Sequence, residues 1–147
     1  LVHDFKYREH LHLGEFLTSL MQTSFINTTY QTECLIPVPL YKKRLKKRGF
    51  NHTTVLAKHL AKNLQRPCLI SQIQKIIETP SQAKLDAPAR RRNIQNTFHV
   101  KALSYKHVTL IDDLITTGST ANELAVQLKK NGAERVDLWC IAKTCLI

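Results

Sequence analysis

The sequence predicts an α/β fold, a mainly parallel sheet with helices on both faces, and three observations carry that expectation. Apolar strand-like runs alternate along the chain with segments of helical periodicity, the pattern of parallel strands joined by crossover helices. At 147 residues and 43% hydrophobic content the chain can close a core, and only four Gly and five Pro argue against low complexity. Finally, Val108 to Thr120, VTLIDDLITTGST, joins an apolar strand, two adjacent carboxylates and a small-residue loop just ahead of a helix. No internal repeat is present, so one domain spanning 1–147 is expected.

The elements follow in order. A helix is expected over His10 to Met21, with Leu13, Phe16, Leu17 and Leu20 on one face. A strand follows near Cys34 to Val38. Lys42 to Arg48, KKRLKKR, is a basic segment whose plainest account is a solvated turn, ahead of a second helix over about Thr53 to Leu64 carried by Leu56, Leu60 and Leu64. The run Cys68 to Ile77 reads as a strand. The polar stretch from Thr79 to Val100 holds Pro80 and Pro88 and is too long for an ordinary connection, so a functional loop is expected there. A strand at Lys106 to Ile111 leads into the loop 116–120 and a helix from about Ala121 to Lys130. Thr120 and Glu123 fit a capping box at that helix start, and Asn131-Gly132 supplies its stop. The last strand is Arg135 to Ala142.

The order strand, acidic pair, hydroxyl loop, helix describes a site for a phosphorylated sugar. A phosphate needs several donors at short range, and Thr116, Thr117, Gly118, Ser119 and Thr120 offer hydroxyls and backbone amides where the positive end of a helix dipole converges. Gly118 lets the backbone approach closely. Asp112 and Asp113 lie at the carboxyl end of their strand, the edge on which open α/β sheets place ligands. Carboxylates there suit two ribose hydroxyls or a divalent metal. The plainer alternative is one solvated Asp and hydroxyls that merely cap a helix.

The thirteen-residue stretch resembles the phosphoribosyl pyrophosphate (PRPP) motif of type I phosphoribosyltransferases, in which a hydrophobic strand ends in two acidic residues, followed by two small or apolar residues, here Leu114-Ile115, and a Thr-Thr-Gly-x-Thr loop. Leu35 to Asn51 and Thr79 to Phe98 are similar to the ComF/GntX branch, through Pro37 to Leu40, Arg48 to Asn51, and Gln82, Leu85, Arg90, Asn93 and Phe98; Phe5-Lys6-Tyr7 before a helix is also typical of it. The resemblance implies a type I phosphoribosyltransferase-like fold in which 1–32 is a helical, hood-like segment and 79–100 a flexible loop closing over PRPP. It implies that Asp112 and Asp113 bind the ribose and help hold Mg²⁺, and that Thr116 to Thr120 bind the 5′-phosphate. Pro39, Leu40, Arg48 and Gly49 would meet the pyrophosphate, and Arg90 would bring catalytic charge from the loop. The implied activity is transfer of phosphoribosyl, with release of pyrophosphate, to an acceptor the sequence does not name. The branch is associated with competence and DNA uptake, so the alternative is a non-catalytic PRPP- or nucleotide-binding accessory that contacts single-stranded DNA or its helicases.

Charge and cysteines bound the partners. With 22 basic against 11 acidic residues the chain carries a formal +11 and should attract polyanions with strong salt dependence. Lys42, Lys43, Lys46 and Lys47 fit either nucleic-acid contact or plain solubility. Cys34, Cys68, Cys140 and Cys145 form no C-x-x-C pair, so no protein zinc site is expected, and Cys34 and Cys140 read as small buried residues. ComF proteins often begin with a cysteine-rich zinc-binding segment; none is read here, and the opening Leu1 fits a fragment. With no signal peptide and no membrane-spanning run, the reducing cytoplasm is the expected setting. The oligomeric state stays open, a dimer being compatible with the reading.

Overall fold

The computed structural model describes residues 31–78 and 97–143, together with Ser19. The element order is β1 (Cys34–Pro37), α1 (Lys42–Arg48), α2 (His52–Leu64), β2 (Ile73–Lys75), β3 (Phe98–Val100), β4 (His107–Ile115), α3 (Ser119–Lys130) and β5 (Arg135–Lys143). Apart from Ser19, the expected helix at His10 to Met21 lies outside the described residues, as does most of the expected loop at 79–100. The end of that loop is a strand, since Phe98–Val100 pairs antiparallel with Ile73–Lys75.

Among the described residues β1, β4 and β5 form one parallel sheet in the order β1-β4-β5. Alternation along the strands builds two cores. Cys34, Ile36, Val108 and Leu110 face Leu124 and Leu128 of α3 and Ile73, Phe98 and Val100 of the hairpin. Leu35, Ile111 and Trp139 face Leu56, Ala57 and Leu60 of α2. Helices thus cover both faces, as the sequence predicts. Buried Thr109 breaks the apolar run, and its hydroxyl donates to Thr32 Oγ1 at 2.8 Å, which donates on to the Cys34 carbonyl at 3.0 Å.

Three sequence expectations are corrected. The basic run is a seven-residue helix, α1, closed by Gly49 in the left-handed region, not a turn. The run Cys68 to Ile77 is not one strand: Cys68 makes a single parallel bridge to Leu35, Ile70 and Ser71 turn, and only Ile73–Lys75 pairs onward. Cys34 is buried, with its thiol pushed up to about 12 by that burial, but Cys140 is only half-buried.

The Cys68 bridge decides where a ligand belongs. Leu35 exchanges hydrogen bonds with Pro67 and Leu69 on one side of β1, while β4 pairs on the other. The chain therefore places its next sheet segment to one side of β1 and the later β4 to the opposite side. That reversal makes the carboxyl ends of β1 and β4 a topological switch point, where open α/β sheets leave a crevice.

Candidate functional site

Two proline positions shape the β1 side of the crevice. Along β1 the peptide groups alternate, Leu35 toward residues 67–69 and Val38 toward β4, where its N–H donates to the Ile111 carbonyl at 3.0 Å. Pro37 and Pro39 stand at the positions whose N–H would point away from β4, so neither costs a β1–β4 hydrogen bond. The strand therefore leaves the sheet at Pro39-Leu40, both half-buried.

This turn is held from α2. The Val38 carbonyl accepts from Asn51 Nδ2 at 3.0 Å and from the Thr53 hydroxyl at 2.6 Å, and Asn51 Oδ1 lies 2.9 Å from the same hydroxyl. Asn51 stands at the N-cap of α2 but makes no capping bond there; its side chain holds the turn instead. Gly49, two residues earlier, ends α1, so the pinned Asn51 draws the end of that helix to the same edge. Arg48 is the last residue of α1. Sequence reasoning missed the work of Asn51 and Thr53: it found Asn51 only as part of a pattern and gave Thr53 no role beyond its helix.

β4 supplies the other wall, and it runs to Ile115, four residues past the expected end. The acidic pair therefore lies within the strand. Successive side chains leave opposite faces, so Asp112 projects on the Leu110 side, toward α3, and Asp113 on the Ile111 side, toward α2. Asp112 is half-buried and Asp113 only 8% exposed. The Asp113 N–H faces the β1 side, as the Ile111 carbonyl does, beyond the point where β1 has turned away; Asp112 Oδ1 takes it at 2.8 Å. That bond fixes the Asp112 carboxylate at the strand end.

Beyond β4 the loop enters α3 through Gly118, the N-cap, at φ 74° and ψ 3°. The expected capping box at Thr120 and Glu123 is not formed. α3 begins two residues earlier than that pattern requires and has no side-chain cap, and Glu123 instead accepts from Gln127 Nε2 at 3.1 Å. The first bond of the helix runs from Asn122 N–H to the Gly118 carbonyl at 2.9 Å, so the amides from Gly118 to Ala121 precede the helical ladder. The Thr117 and Ser119 hydroxyls lie 2.8 Å apart, tying the loop across Gly118. Asp112, Thr116 to Thr120 and neighbouring residues enclose a depression of about 50 Å³. That is far below the about 300–1,000 Å³ of pockets that enclose a whole small molecule, and it suits one anionic group.

The β1–β4 pairing brings Pro39, Leu40, Asp112, Asp113 and Thr116 to Thr120 to one sheet edge, with Gly49 tied to it through Asn51. Arg90 lies outside the described residues. Two carboxylates are too few to cage a cation, but Mg²⁺ is commonly held by one or two carboxylates together with substrate phosphates, so this donor set fits a metal that arrives with its ligand. At the opposite edge, Asp137 Oδ2 meets His107 Nε2 at 2.6 Å and its Oδ1 accepts from Arg135 Nε at 3.1 Å.

No family model matches the chain. It is 34% identical over 152 residues to competence protein F of Haemophilus influenzae, covering 97% of this chain. It is 31% identical over 150 residues to DNA utilization protein YhgH of Escherichia coli O157:H7, covering 98% of this chain. In both cases the chain spans 66% of the relative's length. Among solved structures, a purine phosphoribosyltransferase from Pyrococcus horikoshii matches with a TM-score of 0.52 at 18% identity, over 90% of this chain and 76% of that one. An adenine phosphoribosyltransferase from Thermoanaerobacter pseudethanolicus matches with a TM-score of 0.54 at 10% identity, over 93% and 84%. With its acidic strand end and hydroxyl loop set on this sheet, the chain belongs to the competence protein F/YhgH family and has the type I phosphoribosyltransferase fold.

Proposed function

We propose that the crevice over β1 and β4 binds PRPP with Mg²⁺, and that the protein transfers phosphoribosyl to a nitrogen acceptor with release of pyrophosphate. The observation that carries this is the meeting, at one switch point, of the acidic pair, the helix-entry loop and a turn pinned by Asn51 and Thr53.

Each part has a physical task. The amides and hydroxyls of Thr116 to Thr120 hold the 5′-phosphate at the positive end of α3. Asp112 and Asp113 accept hydrogen bonds from the ribose hydroxyls and fix the ring. Pro39, Leu40, Arg48 and Gly49 border the pyrophosphate, and Arg90 adds positive charge there. The bond between C1 and the pyrophosphate oxygen breaks with its electron pair leaving on pyrophosphate; the acceptor nitrogen bonds to C1 and then loses its proton. Bound Mg²⁺ supplies charge neutralisation on the leaving group. The chain contributes chiefly position, holding C1 and acceptor in line.

A second reading rests on α1. Its Lys42, Lys43, Lys46 and Lys47 are exposed on one short helix beside the crevice, an arrangement suited to a polyanion, and relatives are named for competence and DNA utilization. In this reading the protein serves DNA uptake without turnover, contacting single-stranded DNA or its helicases. Among the described residues no helix is long and apolar enough to cross a membrane. Acceptor-dependent release of pyrophosphate, screened over nucleobases, tests the enzyme. Its absence, together with single-stranded DNA binding that survives physiological salt, supports the accessory.

A further inference from the structure

Folding leaves five large apolar side chains exposed among the described residues, and four of them gather on one side of the molecule. Leu45 of α1, Ile70 in the turn after Cys68, and Ile76 and Ile77 just past β2 are 39–52% exposed; the fifth, Val126, lies on α3. Three observations place the four together. Leu45 and Ile70 border one open space between α1 and the hairpin. Lys43 Nζ meets Glu78 Oε2 at 3.7 Å, so the chain leaving β2 runs beside α1 with Ile76 and Ile77 on it. The Arg44 charge acts on Lys75, the residue before Ile76. Single apolar residues scattered on a surface are normal, whereas a group of them rimmed by charge marks an interaction site. None of the four belongs to the acidic pair, the loop 116–120 or the Pro37–Leu40 turn.

α1 supplies the charged rim. Lys42, Lys43, Lys46 and Lys47 are all exposed beside Leu45, and the helix holds no acidic residue. Lys46 and Lys47 follow Lys43 by three and four positions, so they share the helix face that Glu78 meets. Glu78 thus shows a carboxylate on a non-helical segment lying against this face. Aliphatic side chains beside ammonium groups select the class of partner. Leu and Ile have no ring on which a base could stack, and Phe50, which borders the same space, packs against buried His52 with ring centres 4.7 Å apart. A nucleic acid would therefore meet the lysines and leave the aliphatic surface wet. A wholly apolar partner would take the lysines from water without compensation. A second copy of the chain, itself at +11, would bring like charge against them.

We propose that α1 and the end of β2 form a docking surface for an acidic segment of another protein, one whose apolar side chains are spaced among its carboxylates. The apolar side chains of that segment cover Leu45, Ile70, Ile76 and Ile77, and its carboxylates meet Lys42, Lys46 and Lys47 at the rim. Burial of the aliphatic surface holds the complex, while the charges steer capture and fix orientation. The surface shares no residue with the acidic pair or the loop 116–120, so docking does not depend on PRPP binding there.

Fluorescence anisotropy of a labelled twelve-residue peptide, Asp-Asp-Leu repeated four times, tests this at physiological salt. It is compared with the same peptide carrying Ser in place of Leu and with a labelled twelve-residue oligothymidylate. The proteins are the 147-residue chain, Ile70→Ser/Ile77→Ser and Lys46→Glu/Lys47→Glu; all four positions are exposed, and circular dichroism checks each fold. Saturable binding of the Leu peptide, at least tenfold tighter than the Ser peptide and weakened at least tenfold in each variant, is the expected result. No saturable binding of the Leu peptide, equal affinity for the Ser peptide, or affinity unchanged in the folded Ile70→Ser/Ile77→Ser variant overturns the proposal. Oligothymidylate binding weakened by that variant as strongly as peptide binding also overturns it, by making the aliphatic surface part of a nucleic-acid interface.

Discussion

Replacing Gly118 by alanine tests the loop conformation on which the proposed phosphate site depends. At φ 74° the residue lies in the left-handed region, and a Cβ built there meets no atom within 4 Å. The cost is then conformational alone, about 1–2 kcal/mol for an L-residue held left-handed. Asparagine tolerates this region better than alanine does, so Gly118→Asn should cost less than Gly118→Ala. Gly132 is the internal contrast. At φ 123° its Cβ would strike the Leu103 backbone carbonyl oxygen, so a steric clash adds to the strain and Gly132→Ala should cost clearly more. Urea denaturation of the three variants measures these differences, with unchanged slopes confirming that only stability has moved. The order Gly132→Ala worst, Gly118→Ala intermediate and Gly118→Asn mildest is expected. A Gly118→Ala variant as stable as the unsubstituted chain would refute the left-handed entry to α3, and one as damaged as Gly132→Ala would refute the open space around it.

The other expectations are narrower. Thr53→Val keeps shape and removes one donor to the Val38 carbonyl; it and Asn51→Ala should each cost about 0.5–1.5 kcal/mol in urea melts, and both should weaken Mg²⁺-dependent PRPP binding by loosening the turn. For Asp137, burial alone would raise the pKa, but hydrogen bonds from His107 and Arg135 outweigh it and hold the carboxyl below its ordinary value of 3.8. A pKa depressed by folding contributes stability above about 3.8 that is lost as pH falls through the folded value. The stability gap between the native chain and Asp137→Asn should therefore narrow in acid melts below that pH; a gap unchanged with pH would contradict the assignment. Replacing Lys42, Lys43, Lys46 and Lys47 with alanine should lower the salt slope of single-stranded DNA binding by up to about 3, at about 0.7 per lost phosphate contact; an unaltered slope removes α1 from the DNA surface.

The parts of this fold that were legible in sequence are those where one periodicity ran without competition. β1, α2, α3 and β5 were found within a few residues because apolar positions repeat there at two or at three to four. The candidate site stood out for a different reason: an acidic pair and a hydroxyl loop between strand and helix have few structural uses. Local rules failed where two explanations fitted the same letters. Thr120 and Glu123 have capping-box spacing, yet α3 starts at Ser119 behind a left-handed Gly118. α1 was missed because KKRLKKR has one apolar residue, Leu45, itself 39% exposed, so no amphipathic signal marks the helix. The run Cys68 to Ile77 is apolar but is divided by a turn, and Ile76 and Ile77 remain about half exposed. The hydrogen bonds from Asn51 and Thr53 to Val38 join residues 13 and 15 positions apart, beyond any local pattern.

The β1–β4 crevice is proposed to bind PRPP through the acidic pair. Calorimetric titration of PRPP with Mg²⁺ into this chain, beside Asp112→Asn/Asp113→Asn with its fold checked by circular dichroism, tests it most directly. Saturable binding that the double substitution abolishes is the predicted result; no binding by the unsubstituted chain, or equal affinity in the folded variant, would contradict it.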